Sequence, residues 1–149
     1  MRSCTPLPDD QYLRKVGLVA YLVSSLEGLL LFDLPRLQAA VPPQLAVDRL
    51  AGKTTKRLGE QLVEFAPACA THNVAAYLGA GGRALVEVAP KRNALLHARP
   101  ATDEQGRTRL YRWRLPEAHF IDDVWLDRVV QRIDDLHTEV NGLRPQLPD

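Results

Sequence analysis

Cysteine is scarce in this sequence, and its scarcity limits the cross-links that could hold the chain together. Among 149 residues only Cys4 and Cys69 carry thiols, too few for a disulfide framework and typical of a protein from a reducing compartment. We therefore expect a cytoplasmic location. The cysteines and the four histidines show no metal-ligand spacing, so neither a structural zinc nor another cofactor is expected.

Net charge of either sign is also almost absent. The formal net charge is +1 at pH 7, which argues against a strongly basic protein that coats nucleic acid, so any contact with RNA would have to come from a local patch. The composition is 46% hydrophobic and 25% charged, as in ordinary soluble globular proteins, and the length is that of one domain with its own core.

No apolar run is long enough to be a clear membrane span. The longest, residues 16–32, is about one helical turn too short, and it is interrupted by small and polar residues, Ser24, Ser25, Glu27 and Gly28. A buried core helix without membrane contact is therefore expected. The preceding stretch does not resemble a signal peptide, because residues 6–10 supply prolines and aspartates where a charged start and an apolar middle belong.

Apolar residues at helical spacing account for most of the chain. Asp9 and Asp10 predict the start of a first helix that reaches about Leu34, and Thr54 or Thr55 predicts the start of a second. Residues 39–53, rich in proline, are expected to connect the two helices.

The second half of the chain contains two further helical stretches. The pattern from His72 is expected to break at Gly81-Gly82 and to resume as a third helix to about Ala98, kinked at Pro90 just before the residues of greatest interest. A last helix begins near Asp122 and Asp123. Its apolar stripe, at steps of three and four, is the most regular in the chain and comprises Trp125, Val129, Ile133, Leu136, Val140 and Leu143.

Between the last two helices the helical period disappears, and Asp103-Glu104-Gln105-Gly106 predicts a turn between two short extended pieces. The expected fold class is thus all-α, a bundle of four or five helices with a short hairpin or ordered loop before the last helix. Residues 1–11 are expected to form a flexible leader, residues 12–144 a single helical domain, and residues 145–149 a tail.

Chemistry is indicated mainly by Arg92, Asn93 and His97, which lie together in one helical stretch. Arginine supplies a permanent charge and a planar fork of donors suited to phosphate, and histidine is the residue type that exchanges a proton near neutral pH. Cleavage of a phosphodiester by its own 2′-hydroxyl requires a group that stabilises charge on the phosphate and a group that transfers a proton.

An arginine, a polar residue, and a histidine five positions after the arginine resemble the motif of the HEPN superfamily of helical bundles. Many HEPN members are metal-independent ribonucleases in which the Arg and His of two protomers face each other, often as toxins or defence effectors, while others have lost catalysis. The resemblance implies a homodimer in which His97 is the general acid or base, Arg92 stabilises the transition-state charge, and Asn93 orients the histidine or holds a phosphate oxygen. Alternatively, Arg92 and His97 form a structural polar network without turnover.

Glu27 stands among leucines, where an unpaired carboxylate would be costly. It is either exposed beside Ser24 or buried and paired. Acidic residues on the first helix lie near the motif in some HEPN members, and the resemblance therefore implies Glu27 as a supporting residue paired with Arg92.

A second candidate is an arginine-rich segment whose cations alternate with aromatic residues, a pattern that can hold a phosphate chain and stack bases. The predicted RNA-binding residues are Arg99, Arg107, Arg109, Arg112, Trp113 and Arg114. Alternatively, the aromatic residues pack a hairpin onto the bundle while the arginines are solvated or pair with Asp122 and Asp123.

Two functions of different class follow from these patterns. The first is a metal-independent endoribonuclease of HEPN type in a toxin or phage-defence setting, with RNA as substrate and an antitoxin or other protein as a possible partner. The alternative is a non-catalytic helical module for interaction or dimerisation, in which the arginine-rich segment contacts an acidic partner.

Overall fold

A computed structural model describes residues 4–148, and this part of the chain is mostly helical. The helices are α1 (Asp10–Asp33), α2 (Val47–Leu50), α3 (Thr55–Phe65), α4 (His72–His97) and α5 (Asp123–Gly142). Short 3-10 segments, Leu34–Ala40, Pro43–Leu45 and Ala66–Ala68, connect the first four helices. The strands are β1 (Arg99–Thr102), β2 (Thr108–Arg112) and β3 (His119–Ile121).

Side-chain caps explain where the long helices begin. The carboxylates of Asp9 and Asp122 accept hydrogen bonds from the amides of Tyr12 and Trp125, at 2.9 Å and 2.7 Å. The hydroxyl of Thr54 accepts from the third residue of α3 at 3.4 Å. Each cap satisfies an amide that the helix leaves unpaired, and the predicted starts of the first, second and last helices are confirmed.

A small sheet corrects the all-α expectation. Between α4 and α5 the chain forms three antiparallel strands in the order β1-β2-β3, one strand more than a hairpin. Within the predicted turn, Asp103 accepts the backbone amide of Arg107 at 2.8 Å, and Gly106 has a φ of 76°, where a side chain would be strained. The mostly helical fold and the position of the hairpin were predictable; the third strand was not.

The ends of the described region differ from the expected leader and tail. Residues 1–3 and 149, which belong to those predicted segments, lie outside the described residues, and α1 already begins inside the predicted leader. Near the carboxyl end Leu147 packs against the core, and Arg36 donates to the carbonyl oxygen of Pro148 at 3.0 Å. This tail is therefore tied to the body of the protein.

One face of α1 and one face of α5 contribute to the core. Val19, Val23, Leu26 and Leu30 of α1 are fully buried. Most of the α5 stripe is also buried, which confirms its role in the core. Within the described residues, the helical segment Asp10–Ala40 is long and apolar enough to cross a membrane, and its outer face is exposed.

A buried ionic cluster lies at the carboxyl end of α1. It could not be predicted from the sequence. Asp33 is fully buried, accepts two hydrogen bonds from Arg144 at 2.6 Å and 2.8 Å, and accepts one from the hydroxyl of Tyr77 at 2.6 Å. Burial alone would raise the pKa of Asp33, but these donors outweigh it and the pKa lies below its usual value. Burial, with Asp33 beside it, raises the pKa of Tyr77.

The expected break at Gly81-Gly82 is wrong, because α4 runs without interruption through both glycines and through Pro90 to His97. The glycines serve packing instead. A Cβ at Gly82 would lie 2.7 Å from the carbonyl oxygen of Gly59 on α3, and one at Gly81 would lie 2.5 Å from a methyl carbon of Leu30 on α1. Glycine thus allows α3 and α1 to approach α4 at distances that a larger residue would prevent.

The glycine contact predicts opposite effects for two substitutions in helices. Gly82→Ala should lower the free energy of unfolding by about 1–3 kcal/mol, because its methyl group overpacks the crossing. Gly17→Ala on the outer face of α1, where no atom lies within 4 Å of the new Cβ, should raise it by about 0.5–1 kcal/mol through helix propensity. Urea denaturation measures both, and equal effects of the two variants would contradict the packing role.

Candidate functional site

A cleft of about 800 Å³ opens where the end of α4 meets the sheet and the start of α3. It is lined by Lys56, Ala89, Pro90, Asn93, Ala94, His97, Arg99, Pro100, Arg112, Trp113 and Arg114. We refer to it as the cationic cleft. It brings together Asn93, His97 and four of the six residues that were predicted to bind RNA.

Regular secondary structure explains why these residues meet. Pro90, Asn93 and His97 recur at steps of three and four along α4 and therefore share one face. β1 begins at Arg99, directly after the helix, and pairs antiparallel with β2 so that Arg99 lies opposite Tyr111. The end of β2 thus returns to the end of α4.

Positive charge dominates the cleft. Lys56, Arg99, Arg112 and Arg114 line it, and no carboxylate does. Lys56 lies 3.8 Å from Glu60, and Arg112 lies 3.3 Å from the exposed carboxylate of Glu117. Arg99 and Arg114 form no ion pair or side-chain hydrogen bond with residues 4–148, so two guanidinium groups are free to bind an anion.

Trp113 gives the cleft an aromatic wall. Its side chain is 64% exposed, although the ring contacts Tyr111 edge-on, with centroids 4.6 Å apart. Tyr111 makes a similar contact with Phe120 at 4.8 Å. The indole is thus supported from one side and presents an open surface on which a planar base could stack.

His97 and Asn93 are exposed on the same face of α4. Neither side chain makes a hydrogen bond to another described residue, so both are free for a ligand. His97 lies in the last turn of the helix and lines the cationic cleft. An exposed imidazole without a hydrogen-bond partner can contact a bound ligand and exchange a proton with it.

Arg92 does not line the cationic cleft, contrary to the expected convergence of Arg92 and His97. Five helical steps of about 100° place the two side chains about 140° apart, and α4 stays helical through both residues. Arg92 is half-buried and forms no ion pair within residues 4–148. Within one protomer Arg92 and His97 therefore form no hydrogen bond in the described residues, and the free guanidinium groups that line the cleft with His97 are those of Arg99 and Arg114.

The expected partner of Glu27 is also different. The carboxylate of Glu27 accepts a hydrogen bond from the hydroxyl of Thr55, a buried residue at the start of α3. Among the described residues no ion pair joins Glu27 to Arg92. Glu27 therefore ties α1 to the start of α3, and the hypothesis that it supports Arg92 is wrong.

Two of the predicted RNA-binding arginines have structural roles. Arg109 is 5% exposed and lies 3.0 Å from Asp9 and 3.6 Å from Asp123. Arg107 pairs with Asp103 at 2.9 Å inside the hairpin turn. Because side chains alternate across a strand, Arg109 and Arg112 lie on opposite faces of β2, and only Arg112 reaches the cationic cleft.

Lys56 is a member of the cleft that sequence reasoning missed. It stands in the first turn of α3, far from the motif along the chain, and its neighbours in sequence carry no signal for a site. Only the contact between α3 and α4, made close by Gly59 and Gly82, brings Lys56 to the edge of the cleft.

The sheet is held in place beside α4 by Tyr12, near the start of α1. The hydroxyl of Tyr12 donates to the carbonyl oxygen of Ile121 on β3 at 2.6 Å and accepts from the amide of Leu110 on β2 at 3.0 Å. The guanidinium of Arg109 lies 4.4 Å from the centre of the same ring. Burial raises the pKa of Tyr12, so the phenol stays protonated and keeps its donor.

No family model, curated protein or solved structure matches the chain. Free guanidinium groups, an exposed indole and an unbonded imidazole within one cavity can hold phosphate groups, stack a planar base and exchange a proton.

Tyr12→Phe should destabilise the protein although it removes only one oxygen atom. The change leaves the amide of Leu110 and the carbonyl of Ile121 without their partner, and a buried unsatisfied group costs about 1–3 kcal/mol. Tyr21→Phe is the matched control, since Tyr21 is exposed and forms no hydrogen bond within residues 4–148, and its effect should stay within about 0.5 kcal/mol. Equal unfolding free energies of the two variants in urea would show that the hydroxyl of Tyr12 does not hold the sheet.

Proposed function

We propose that the protein binds single-stranded RNA in the cationic cleft and cleaves it without a metal ion, with His97 as the general acid–base group. The observation that supports this proposal is the placement of His97 and Asn93 beside the free guanidinium groups of Arg99 and Arg114 and the open face of Trp113. Phosphates would bind the arginines, and an unpaired base would stack on the indole.

The reaction uses the nucleophile that RNA carries itself. Neutral His97 accepts the proton of a 2′-hydroxyl while its oxygen attacks the adjacent phosphorus, and the bond from phosphorus to the 5′-oxygen breaks. The imidazolium then returns the proton to that 5′-oxygen. The products are a 2′,3′-cyclic phosphate and a 5′-hydroxyl end.

Charge builds up on the phosphate oxygens during this attack, and Arg99 is the guanidinium best placed to stabilise it, because it follows His97 by two residues and lines the same cleft. Asn93, one turn before His97, would hold a phosphate oxygen or orient the imidazole. Arg92 keeps a role only where two protomers combine, as the HEPN resemblance implies, so that it reaches the cleft of a partner.

The proposed setting follows from the same resemblance. A small RNA-cleaving protein of this kind would act as a toxin or a defence effector in the cytoplasm, and an antitoxin would be its protein partner.

A second function, a non-catalytic interaction or dimerisation module, is favoured by the outer face of α1. Tyr21 and Phe32 are 71% and 75% exposed on this face, and the exposed residues Leu18 and Gly28 share it at helical spacing. Ser25 lies between them but is half-buried and forms a hydrogen bond with His137 of α5. A contiguous exposed apolar face is a feature of protein interaction surfaces. Such an interface is compatible with an RNA-binding cleft elsewhere on the molecule.

Cleavage of a single-stranded RNA by the purified protein in chelator tests the first proposal. His97→Ala should lower the rate by about 100-fold or more, as loss of an acid–base group does, and the products should end in a cyclic phosphate. Arg99→Ala should lower the rate by about 10–1,000-fold through loss of charge stabilisation. Arg92→Ala should have little effect if each protomer acts alone.

His72→Ala is the control for His97→Ala, since His72 lies at the opposite end of α4 and should leave the rate unchanged. A wild-type protein that binds RNA without cutting it would reduce the proposal to binding. Cleavage that survives in both His97→Ala and Arg99→Ala, or the absence of any RNA binding, would refute it.

The exposed outer face of α1 predicts how the molar mass of the protein in solution depends on two side chains. If it forms a dimer, Tyr21→Ser combined with Phe32→Ser should halve the molar mass measured by light scattering, because the change removes the largest apolar groups from the contact. Val124→Ser, which changes an exposed apolar residue of α5, should leave the mass unchanged. A wild-type protein that is monomeric at high concentration would argue against this interface.

A further inference from the structure

A second cavity, of about 560 Å³, adjoins the cationic cleft between α4, β3 and α5. Its wall includes the buried side chains of Val88, Val129 and Ile133 and the half-buried aromatic rings of Phe120 and Trp125. The cavity is thus apolar inside, has aromatic surface, and is large enough for a small organic group such as a nucleoside.

No residue lines both the second cavity and the cationic cleft, but neighbouring residues line one and the other. Pro90 lines the cleft and Lys91, the next residue, lines the second cavity. Arg112 lines the cleft, and its register partner across the β2–β3 ladder, His119, lines the second cavity. A strand that is longer than the cleft would therefore have to cross only this boundary of neighbouring residues to reach the second cavity.

Two cations at the second cavity form no close ion pair, although the charge of Lys91 helps to lower the pKa of Glu87. Lys91 and Arg128 form no ion pair or side-chain hydrogen bond with residues 4–148, and both are exposed. The two carboxylates of the lining are already engaged. Glu87 accepts two hydrogen bonds from Arg132, each 2.7 Å long, and Asp122 caps α5. Three cations, Lys91, Arg128 and Arg132, stand against these two carboxylates in the lining, so the cavity has a small positive excess that suits an anion.

We propose that the second cavity is an extension of the RNA site and holds nucleotides of the same single strand that lies in the cationic cleft. Lys91 and Arg128 contact its phosphates, and a base packs against Trp125 and Phe120. This inference rests on the proposed function and deepens it, since it makes the substrate a single strand long enough to occupy both cavities.

The chemistry of the cavity favours a flexible single strand over two other anions. A duplex keeps its bases stacked inside and cannot offer one to the aromatic wall, whereas a single strand can turn its bases outward. An acidic peptide could pair with Lys91 and Arg128, but it would not use the exposed indole and free arginines of the neighbouring cleft.

Binding as a function of RNA length tests the inference. The probes are fluorescent 2′-O-methyl oligouridines, which lack the nucleophilic hydroxyl and cannot be cut, as a trinucleotide and as a dodecanucleotide. Lys91→Gln combined with Arg128→Gln should weaken binding of the long probe by about tenfold at low salt and leave the short probe within about twofold. The double variant should also reduce the slope of log affinity against log salt by about 1.4, the value for two lost phosphate contacts.

Three further variants complete the experiment. Arg49→Gln combined with Lys53→Gln removes the same number of exposed charges from residues that line neither cavity, and should leave both probes unaffected. Lys91→Arg combined with Arg128→Lys keeps the charges and should retain the affinity for the long probe. Arg99→Ala should weaken both probes.

The outcomes separate the inference from the proposed function. If neither probe binds, or if Arg99→Ala has no effect on either, the RNA site itself is refuted. If Arg99→Ala weakens both probes while the variants at Lys91 and Arg128 show no length-dependent loss, the cationic cleft stands and the extension is refuted. An acidic peptide that binds through Lys91 and Arg128 and is not displaced by the dodecanucleotide would also overturn the extension.

Discussion

The hydroxyl of Tyr12 is the contact on which the position of the candidate site depends. It bridges the amide of Leu110 and the carbonyl of Ile121, two register partners on adjacent strands, from a buried position in the first turns of α1. A three-stranded sheet of three to five residues per strand is too small to be stable without support. The phenol joins it to α1, a 24-residue helix with one face in the core, and thereby fixes the strand that ends in the cationic cleft.

The arginines near this contact are of two kinds, those that are paired inside the fold and those that are unpaired at the surface. Arg109 lies over the ring of Tyr12 and between Asp9 and Asp123, and its Nε atom is buried without a hydrogen-bond partner in the described residues. A buried charge of this kind is tolerated only because two carboxylates and an aromatic face surround it. Arg99 and Arg114 have no such partners, and this difference separates arginines that hold the fold from arginines that can hold a ligand.

Local signals predicted those features that depend on near neighbours. The caps at Asp9, Thr54 and Asp122 satisfy amides within three residues, and the turn at Asp103 depends on its own carboxylate, so all of them could be inferred without the fold. The buried stripe of α5 followed from a regular period. The role of the glycines of α4 could not be predicted in this way. They allow α1 and α3 to pack closely against α4, and these two helices lie elsewhere in the chain.

Taken alone, the sequence determined the helix starts, the mostly helical class, the hairpin region, and the presence of His97 and Asn93 on one helical face, because each depends on local hydrogen bonds or on the helical period. The tertiary structure decided which cations are free. In the folded protein Arg109 is buried, and Glu27 accepts a hydrogen bond from Thr55. Lys56 and Arg114 line the cationic cleft, whereas Arg92 does not. Burial and pairing depend on residues distant in the chain, and for this reason one sequence motif was compatible with several different sites until the fold selected one.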